Sequence, residues 1–245
     1  PTPFMLAKSG KNGGKGKADA VWHSNRGEAA EARARGEAMH ARPKRAASSK
    51  AARADAGKPK KIAAMPDFVA PQLCTSVDKP PEADSWCHEI KLDGYRVQLR
   101  VDDGEVALKT RKGLNWVDKF SAIASEAESL PDVLIDGEIA ALDDKGVPHF
   151  SALQAALSEG KTGELIYFVF DLLFHGREDL RGLPLRERKA RLKRLLEKRK
   201  GGKLIRYVDH FEESGDAVLQ SARKLSLEGI ISKKLDAPYR SGRSE

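Results

Sequence analysis

The sequence predicts a mixed α+β domain with a large share of antiparallel sheet. Three observations carry that expectation. Strand-like runs come in adjacent pairs joined by short turns. Helical stretches separate those pairs, and no segment repeats at a fixed period. Antiparallel neighbours need only a hairpin between them, whereas parallel neighbours need a long crossover.

The elements follow in order from about residue 66. "MPDFVAPQLCTSV", with its two prolines, reads as an irregular lead-in. "WCHEI" and "YRVQLRVDD" read as strands. In the second, Tyr95, Val97, Leu99 and Val101 alternate with Arg96, Gln98 and Arg100, which predicts one polar face. "DDG" then turns the chain into the strand "EVALKT". "WVDKFSAIASEAESL" has helical spacing and ends at Pro131. "DVLIDGEIAAL" is a strand, "DDKG" a turn, and "FSALQAAL" a short helix. "ELIYFVFDLL" is the most apolar run and rich in β-branched and aromatic residues, so it predicts a central strand. "LPLRERKARLKRLLEKRK" predicts a basic amphipathic helix with Leu185, Leu192 and Leu195–196 on its buried side. A strand "KLIRYV", a helix over about 212–226 and a last strand "EGIISKK" complete the series.

Charge divides the chain sharply. Residues 1–65 hold 15 Lys+Arg against 5 Asp+Glu, whereas 66–245 hold 29 against 31, so the net +8 arises entirely in the first quarter. That quarter is rich in Ala, Gly, Lys and Arg and buries too little to offset its ordering entropy. It predicts a disordered basic linker, in which "RGEAAEARARGEAMHAR" forms at most a transient helix and the cations meet nucleic-acid phosphates. "PTPFMLAK" (1–8) reads as the last strand of a preceding domain. Cys74 and Cys87 form no motif and predict reduced, intracellular thiols. No apolar run reaches transmembrane length and no signal-peptide pattern opens the chain. His149, His175 and His210 show no metal spacing and are expected at the surface.

Several charged residues sit where strands avoid charge: Glu89 and Lys91 in "EIKLDG", Glu138 in "LIDGEIAAL", Glu228 and Lys233 in "EGIISKK". One of them could be a structural ion pair. Their recurrence at strand ends beside glycines predicts a polar pocket whose ligand satisfies them. Gly94, Gly137 and Gly229 would let that ligand approach the backbone.

At these residues the chain resembles the covalent nucleotidyltransferases: ATP-dependent DNA ligases, RNA ligases and mRNA-capping guanylyltransferases. "EIKLDGYR" resembles their K-x-D-G-x-R motif I, "TRKGLNW" their R-x-G element, "DGEIAAL" their D-G-E element, "YFVFDLL" their F-D element and "EGIISKK" their motif IV. K-x-D-G alone is a weak signal; five elements in the right order are a strong one. "DGE", "FDLL" and "EGIISKKLDAPYRSGRS" look more like DNA ligases than capping enzymes. Residues 66–245 are most similar to the adenylation domain of the bacterial end-joining DNA ligase D type.

The resemblance implies an ATP-grasp-like nucleotidyltransferase fold, antiparallel sheets flanked by helices, and a lysyl-AMP intermediate. Lys91 would attack the α-phosphate of ATP. A free lysine amine, with a pKa of about 10.4, becomes nucleophilic only where its surroundings disfavour the charge. Taken alone Lys91 would read as an exposed edge lysine; with the other four elements it reads as the nucleophile. By the same resemblance Glu89 would recognise the adenine amino group, and Arg96 and Arg111 would hold ribose and phosphate. Glu138 would bind the ribose hydroxyl or a metal, Glu228 a divalent Mg²⁺ or Mn²⁺. Phe170 would stack on the base and Lys233 would contact the α-phosphate. Asp93 and Gly94 would shape the turn that presents the amine.

The implied substrate is DNA with 5′-phosphate and 3′-hydroxyl ends, in DNA repair by end joining. Phosphoesterase and polymerase domains in the same chain, an end-binding recruitment protein and a cytoplasmic, nucleoid-associated setting belong to the same picture. The chain stops before the family's W-x-K-x-K motif V and OB-fold, so the sequence predicts a truncated adenylation domain with slow or no activity alone. The rival readings are an RNA ligase or guanylyltransferase using the same lysine, and a non-catalytic DNA-binding adaptor.

Overall fold

The computed structural model describes residues 58–82, 84–199 and 201–243, within a unit that runs from Ala56 to Glu245. The transient helix and the opening strand expected from the sequence, and the linker up to residue 57, lie outside the described residues. From residue 60 the chain already belongs to the fold, earlier than the position 66 expected. Lys60–Lys61 forms strand β1, and Met65 is buried with Val69, Leu134, Leu173, Phe174 and Tyr239. One methionine and one isoleucine in a basic stretch carry too little pattern to announce this.

The remaining strands are β2 (Gln72–Leu73), β3 (Trp86–Ile90), β4 (Tyr95–Asp102), β5 (Glu105–Thr110), β6 (Val133–Ala140), β7 (Ile166–His175), β8 (Glu178–Asp179), β9 (Ile205–Tyr207), β10 (Ile230–Lys234) and β11 (Gly242–Arg243). The main sheet runs β1-β8-β7-β6-β4-β5, antiparallel at every step, and β9 adds to β7 in parallel. β3 and β10 form a separate antiparallel pair, and β2 and β11 a short parallel one. The helices are α1 (Ser121–Ala127), α2 (Phe150–Glu159), α3 (Leu185–Glu197) and α4 (Gly215–Lys224). The long helix expected over 116–130 is shorter than its pattern, because Val117–Phe120 is a 3-10 turn that drives Phe120 into the core. Among the described residues no helix is long and apolar enough to cross a membrane.

Local chemistry accounts for these elements. The β4–β5 hairpin turns through Asp103 and Gly104, both at positive φ (51° and 80°), the pairing that a two-residue hairpin favours. Val97, Leu99 and Val101 of β4 are fully buried and join Ile135, Ile139, Tyr167 and Leu192 in the main core. β7 is buried along nearly its whole length, as its apolar run predicts for a central strand.

The polar face of β4 is not open to water as its alternation suggests. Gln98 is buried and donates to the carbonyl of Val69 (2.5 Å) while its own oxygen accepts from the Val69 amide (3.1 Å). Arg100 donates to Pro66 O (3.2 Å) and Arg96 to Gln72 O (3.4 Å). The proline-rich segment thus lies across β4, and its otherwise unpaired backbone groups are satisfied by that strand's polar side chains.

Candidate active site

The end of β3, the start of β4 and the segment leading into β10 converge on Lys91. The β3–β10 ladder ends at Ile90–Ile230, and beyond it the Lys91 amide donates to Gly229 O (2.9 Å). This extension of the ladder sets the side chains of Lys91 and Glu228 in an ion pair, 23% and 45% exposed respectively. Beside them opens a cleft of about 270 Å³ lined by Lys91, Asp93, Pro148, Ser226, Leu227 and Glu228.

Gly94 explains how β4 starts so close to this lysine. A Cβ on it would collide with the Ile139 carbonyl oxygen of β6 and come within 3.1 Å of Glu138 Cγ. Its amide donates to Glu138 Oε1 (3.0 Å). Gly137 is equally tight, with Phe168 O and the Tyr167 ring each 2.6 Å from an added Cβ. These two glycines therefore make room for protein rather than for a ligand, contrary to the expectation. Gly229 alone of the three faces open space.

Glu138, on β6, is the cross-strand partner of Arg96 on β4. Burial pushes its carboxyl up to about 7, against the pull of Arg96, Lys91 and the Gly94 amide, and Glu228 adds to the upward push. Two carboxylates thus act on one lysine; burial is the main reason that the Glu138 carboxyl is raised, and its repulsion with Glu228 adds a smaller part. This all-oxygen pair suits a hard divalent cation, which would relieve that crowding.

Arg96 is held from behind. Its guanidinium meets buried Asp136 in a two-pronged pair (2.7 and 2.8 Å), and the Tyr239 hydroxyl donates to the same carboxylate (2.7 Å). Phe170 is 8% exposed and carries two cations over its ring, Lys233 Nζ at 4.2 Å and the Arg96 guanidinium at 4.6 Å from the centroid.

Glu89 occupies an environment that the sequence did not suggest. Its Oε1 takes the Lys189 ammonium (2.6 Å) and its Oε2 the Lys233 ammonium (2.5 Å). Burial pushes the carboxyl up, and Lys233 and then Lys189 outweigh burial, leaving it below the ordinary carboxylate range. A contact to an adenine amino group would have to use the lone pairs left over. Arg111 sits in an exposed turn after β5, closed by Thr110 N to Leu114 O (2.9 Å), with Gly113 at positive φ (80°).

The structure therefore gathers Lys91, Asp93 and Glu228 around one cleft, holds Glu138 on the Gly94 amide next to that turn, and brings Glu89, Arg96, Phe170 and Lys233 into one contacting group. Sequence reasoning missed Lys189, Asp136 and Tyr239. A signal for Lys189 existed: three and four residues after Leu185, Arg188 and Lys189 fall on the stripe that also holds Leu192. Both are buried, Arg188 on Asp171 (2.8 and 2.9 Å) and Lys189 on Glu89. The three histidines are not clustered; His149 caps α2 by accepting from the Ala152 amide (3.3 Å).

Comparison with known proteins identifies the family. A family model for the ATP dependent DNA ligase domain matches residues 71–245. The chain is 43% identical over 182 residues to the multifunctional non-homologous end joining protein LigD of Pseudomonas aeruginosa, a match covering 74% of this chain and 21% of that protein. To the LigD protein of Mycolicibacterium smegmatis it is 32% identical over 184 residues, 74% of this chain and 23% of the other. A solved mycobacterial DNA ligase D, complexed with ATP and MES, superposes with a TM-score of 0.65 at 30% identity, covering 73% of this chain and 58% of that one. The chain spans roughly a fifth of the length of these curated relatives. With the lysine, its carboxylates and the nucleotidyltransferase fold all in place, the chain belongs to the family of ATP-dependent DNA ligase domains.

Proposed function

We propose that this domain carries the adenylation chemistry of an end-joining DNA ligase, with Lys91 as nucleophile. The carrying observation is the placement of the Lys91 amine: at the mouth of a cleft, backbone fixed to Gly229, side chain against Glu228. Glu228, in contact with Nζ, is positioned to take the proton that the ammonium sheds. The free amine forms a bond to the α-phosphorus of ATP, the bond to the bridging oxygen breaks with its electron pair leaving on pyrophosphate, and the surplus proton on the nitrogen passes to the departing pyrophosphate. The resulting lysyl-AMP then gives AMP to a DNA 5′-phosphate, and a 3′-hydroxyl displaces AMP to seal the break.

Around that step, Arg96 and Arg111 hold ribose and phosphate, Glu89 offers its spare lone pairs to the adenine amino group, and Phe170 gives the base an aromatic face. Lys233 stabilises charge that develops on the α-phosphate. Asp93 and Gly94 keep the turn that presents Lys91. Glu138 and Glu228 would hold Mg²⁺ or Mn²⁺, which when bound neutralises phosphate charge. The relatives named above are end-joining proteins, and we carry over that setting: bacterial break repair, beside phosphoesterase and polymerase domains, with an end-binding recruitment partner.

The test is Lys91→Ala. In the full-length parent protein, labelled ATP should mark the wild type on Lys91 and leave the variant unmarked, a loss of at least three orders of magnitude in rate. Sealing of a nick that already bears 5′-AMP should survive in part, because that step no longer needs the amine. Label transferred from GTP instead of ATP, or loss of both activities in a folded variant, would sink the assignment.

A further inference from the structure

The mechanism above gives no role to Lys189, a buried charge in direct contact with Glu89. Lys189 is 1% exposed and reaches from α3 into the protein interior, where its ammonium meets Glu89 Oε1 (2.6 Å), Val208 O (3.1 Å) and Phe170 O (3.5 Å). Three acceptors use all three of its protons, so Lys189 is committed where it stands. Burying a lysine this deeply is costly unless such pairing is complete.

Its counterpart on the other carboxylate oxygen is different. Lys233 is 21% exposed, contacts Glu89 Oε2 and lies over the Phe170 ring. It is therefore the mobile member of a Lys–Glu–Lys chain whose other two members are sealed inside. To reach an α-phosphate it has to give up Glu89. Were Glu89 paired with Lys233 alone, that departure would strand an uncompensated buried carboxylate. With Lys189 in place, the carboxylate left behind remains neutralised.

We infer that Lys189 is a positioning residue for lysyl-AMP formation: by neutralising Glu89 from the buried side, it leaves Lys233 free to exchange that carboxylate for the α-phosphate. This rests on the phosphate role proposed for Lys233. The charge balance closes in both states, since the chain carries +1 with Lys233 docked on Glu89, and after the exchange the Lys189–Glu89 pair is neutral and the +1 sits on phosphate. Phe170 is tied into the same device, its carbonyl on Lys189 and its ring under Lys233, so base and phosphate contacts are built on one support.

A double-mutant cycle in the full-length parent protein, on the rate of lysyl-AMP formation at saturating ATP, tests this. Lys189→Met should slow formation on the order of tenfold, because Glu89 then holds Lys233 as its only counter-ion. In a Lys233→Ala background the same change should cost less than about twofold, since there is no longer a lysine to release. An equal loss in both backgrounds, or no loss in either, overturns the inference and leaves Lys189 structural. Should Lys189→Met fail to fold, Lys189→Gln replaces it, keeping a donor for Val208 O without the charge, with the same two outcomes. If Lys233→Ala alone leaves the rate unchanged, this inference falls while the role of Lys91 stands. Absence of lysyl-AMP in the wild-type protein strikes the proposed function itself.

Discussion

The two flanks of the Lys91 cleft are built on opposite plans. On the side of β6, β7 and α3, the buried charges are locked in pairs: Arg96 on Asp136, Asp136 on Tyr239, Glu89 on Lys189, Asp171 on Arg188. On the side of the 226–229 segment, Lys91 and Glu228 meet as one half-exposed pair beside open space. The closed flank spends its polar groups on each other and so arrives preformed, which lowers what a ligand must order on binding. The open flank keeps its groups available for chemistry. Substitutions on the first should therefore act mainly on stability, and on the second mainly on activity.

The seam between the flanks gives the harshest way to break that contrast. Gly94→Ala forces a methyl into the Ile139 carbonyl, so we expect a loss of about 3 kcal/mol or more, read by urea unfolding. A loss under about 1 kcal/mol would mean that β4 can slide and that the closed flank is softer than its contacts imply.

Glu138 sharpens the comparison because it belongs to both sides. Its carboxyl is raised in the folded protein to about 7 from an ordinary 4.5, so its charged form is disfavoured by folding. The penalty is absent below about pH 4.5, grows between there and pH 7, and is full above. Glu138→Gln should accordingly stabilise the fold by about 1–2 kcal/mol at pH 8 and by almost nothing at pH 4.5, while lowering lysyl-AMP formation. Unfolding curves at both values check it; a gain that persists in acid would place its origin elsewhere. The smallest stability effect is expected at Glu228→Gln, within about 0.5 kcal/mol for so exposed a pair, yet with a clear fall in adenylation rate. A large stability loss with intact chemistry would invert the contrast.

Much of this was legible in the residues. "WCHEI" and "EVALKT" are the observed strands end for end, and "DDG" is the observed turn, because alternation and turn chemistry are local. The cluster of Lys91, Glu138 and Glu228 was legible through glycine-flanked charge in apolar strands. What escaped were partners far apart in sequence. Gln98 reads as a solvent-facing residue until Val69 is laid against it, and Lys189 reads as one more cation on a basic helix until Glu89, a hundred residues earlier, is found at its tip. Glu89 shows the limit plainly: buried charge announced a polar pocket, but nothing local told whether a ligand or a lysine would fill it.

The pairing of β2 with β11 has a consequence for how the molecule assembles. Gln72 meets Gly242 and Leu73 meets Arg243, and Gln72 N donates to the Tyr239 hydroxyl (3.0 Å). These contacts join positions about 170 residues apart through two short strands, and they depend on the β3–β10 ladder having first brought the two ends of that loop together. Such a contact forms late, after the local hairpin β4–β5 and the β6–β7 ladder, and a protein relying on it has a high contact order and folds slowly. Because Tyr239 also holds Asp136, and Asp136 holds Arg96, the nucleotide side of the site is finished only when this last buckle shuts.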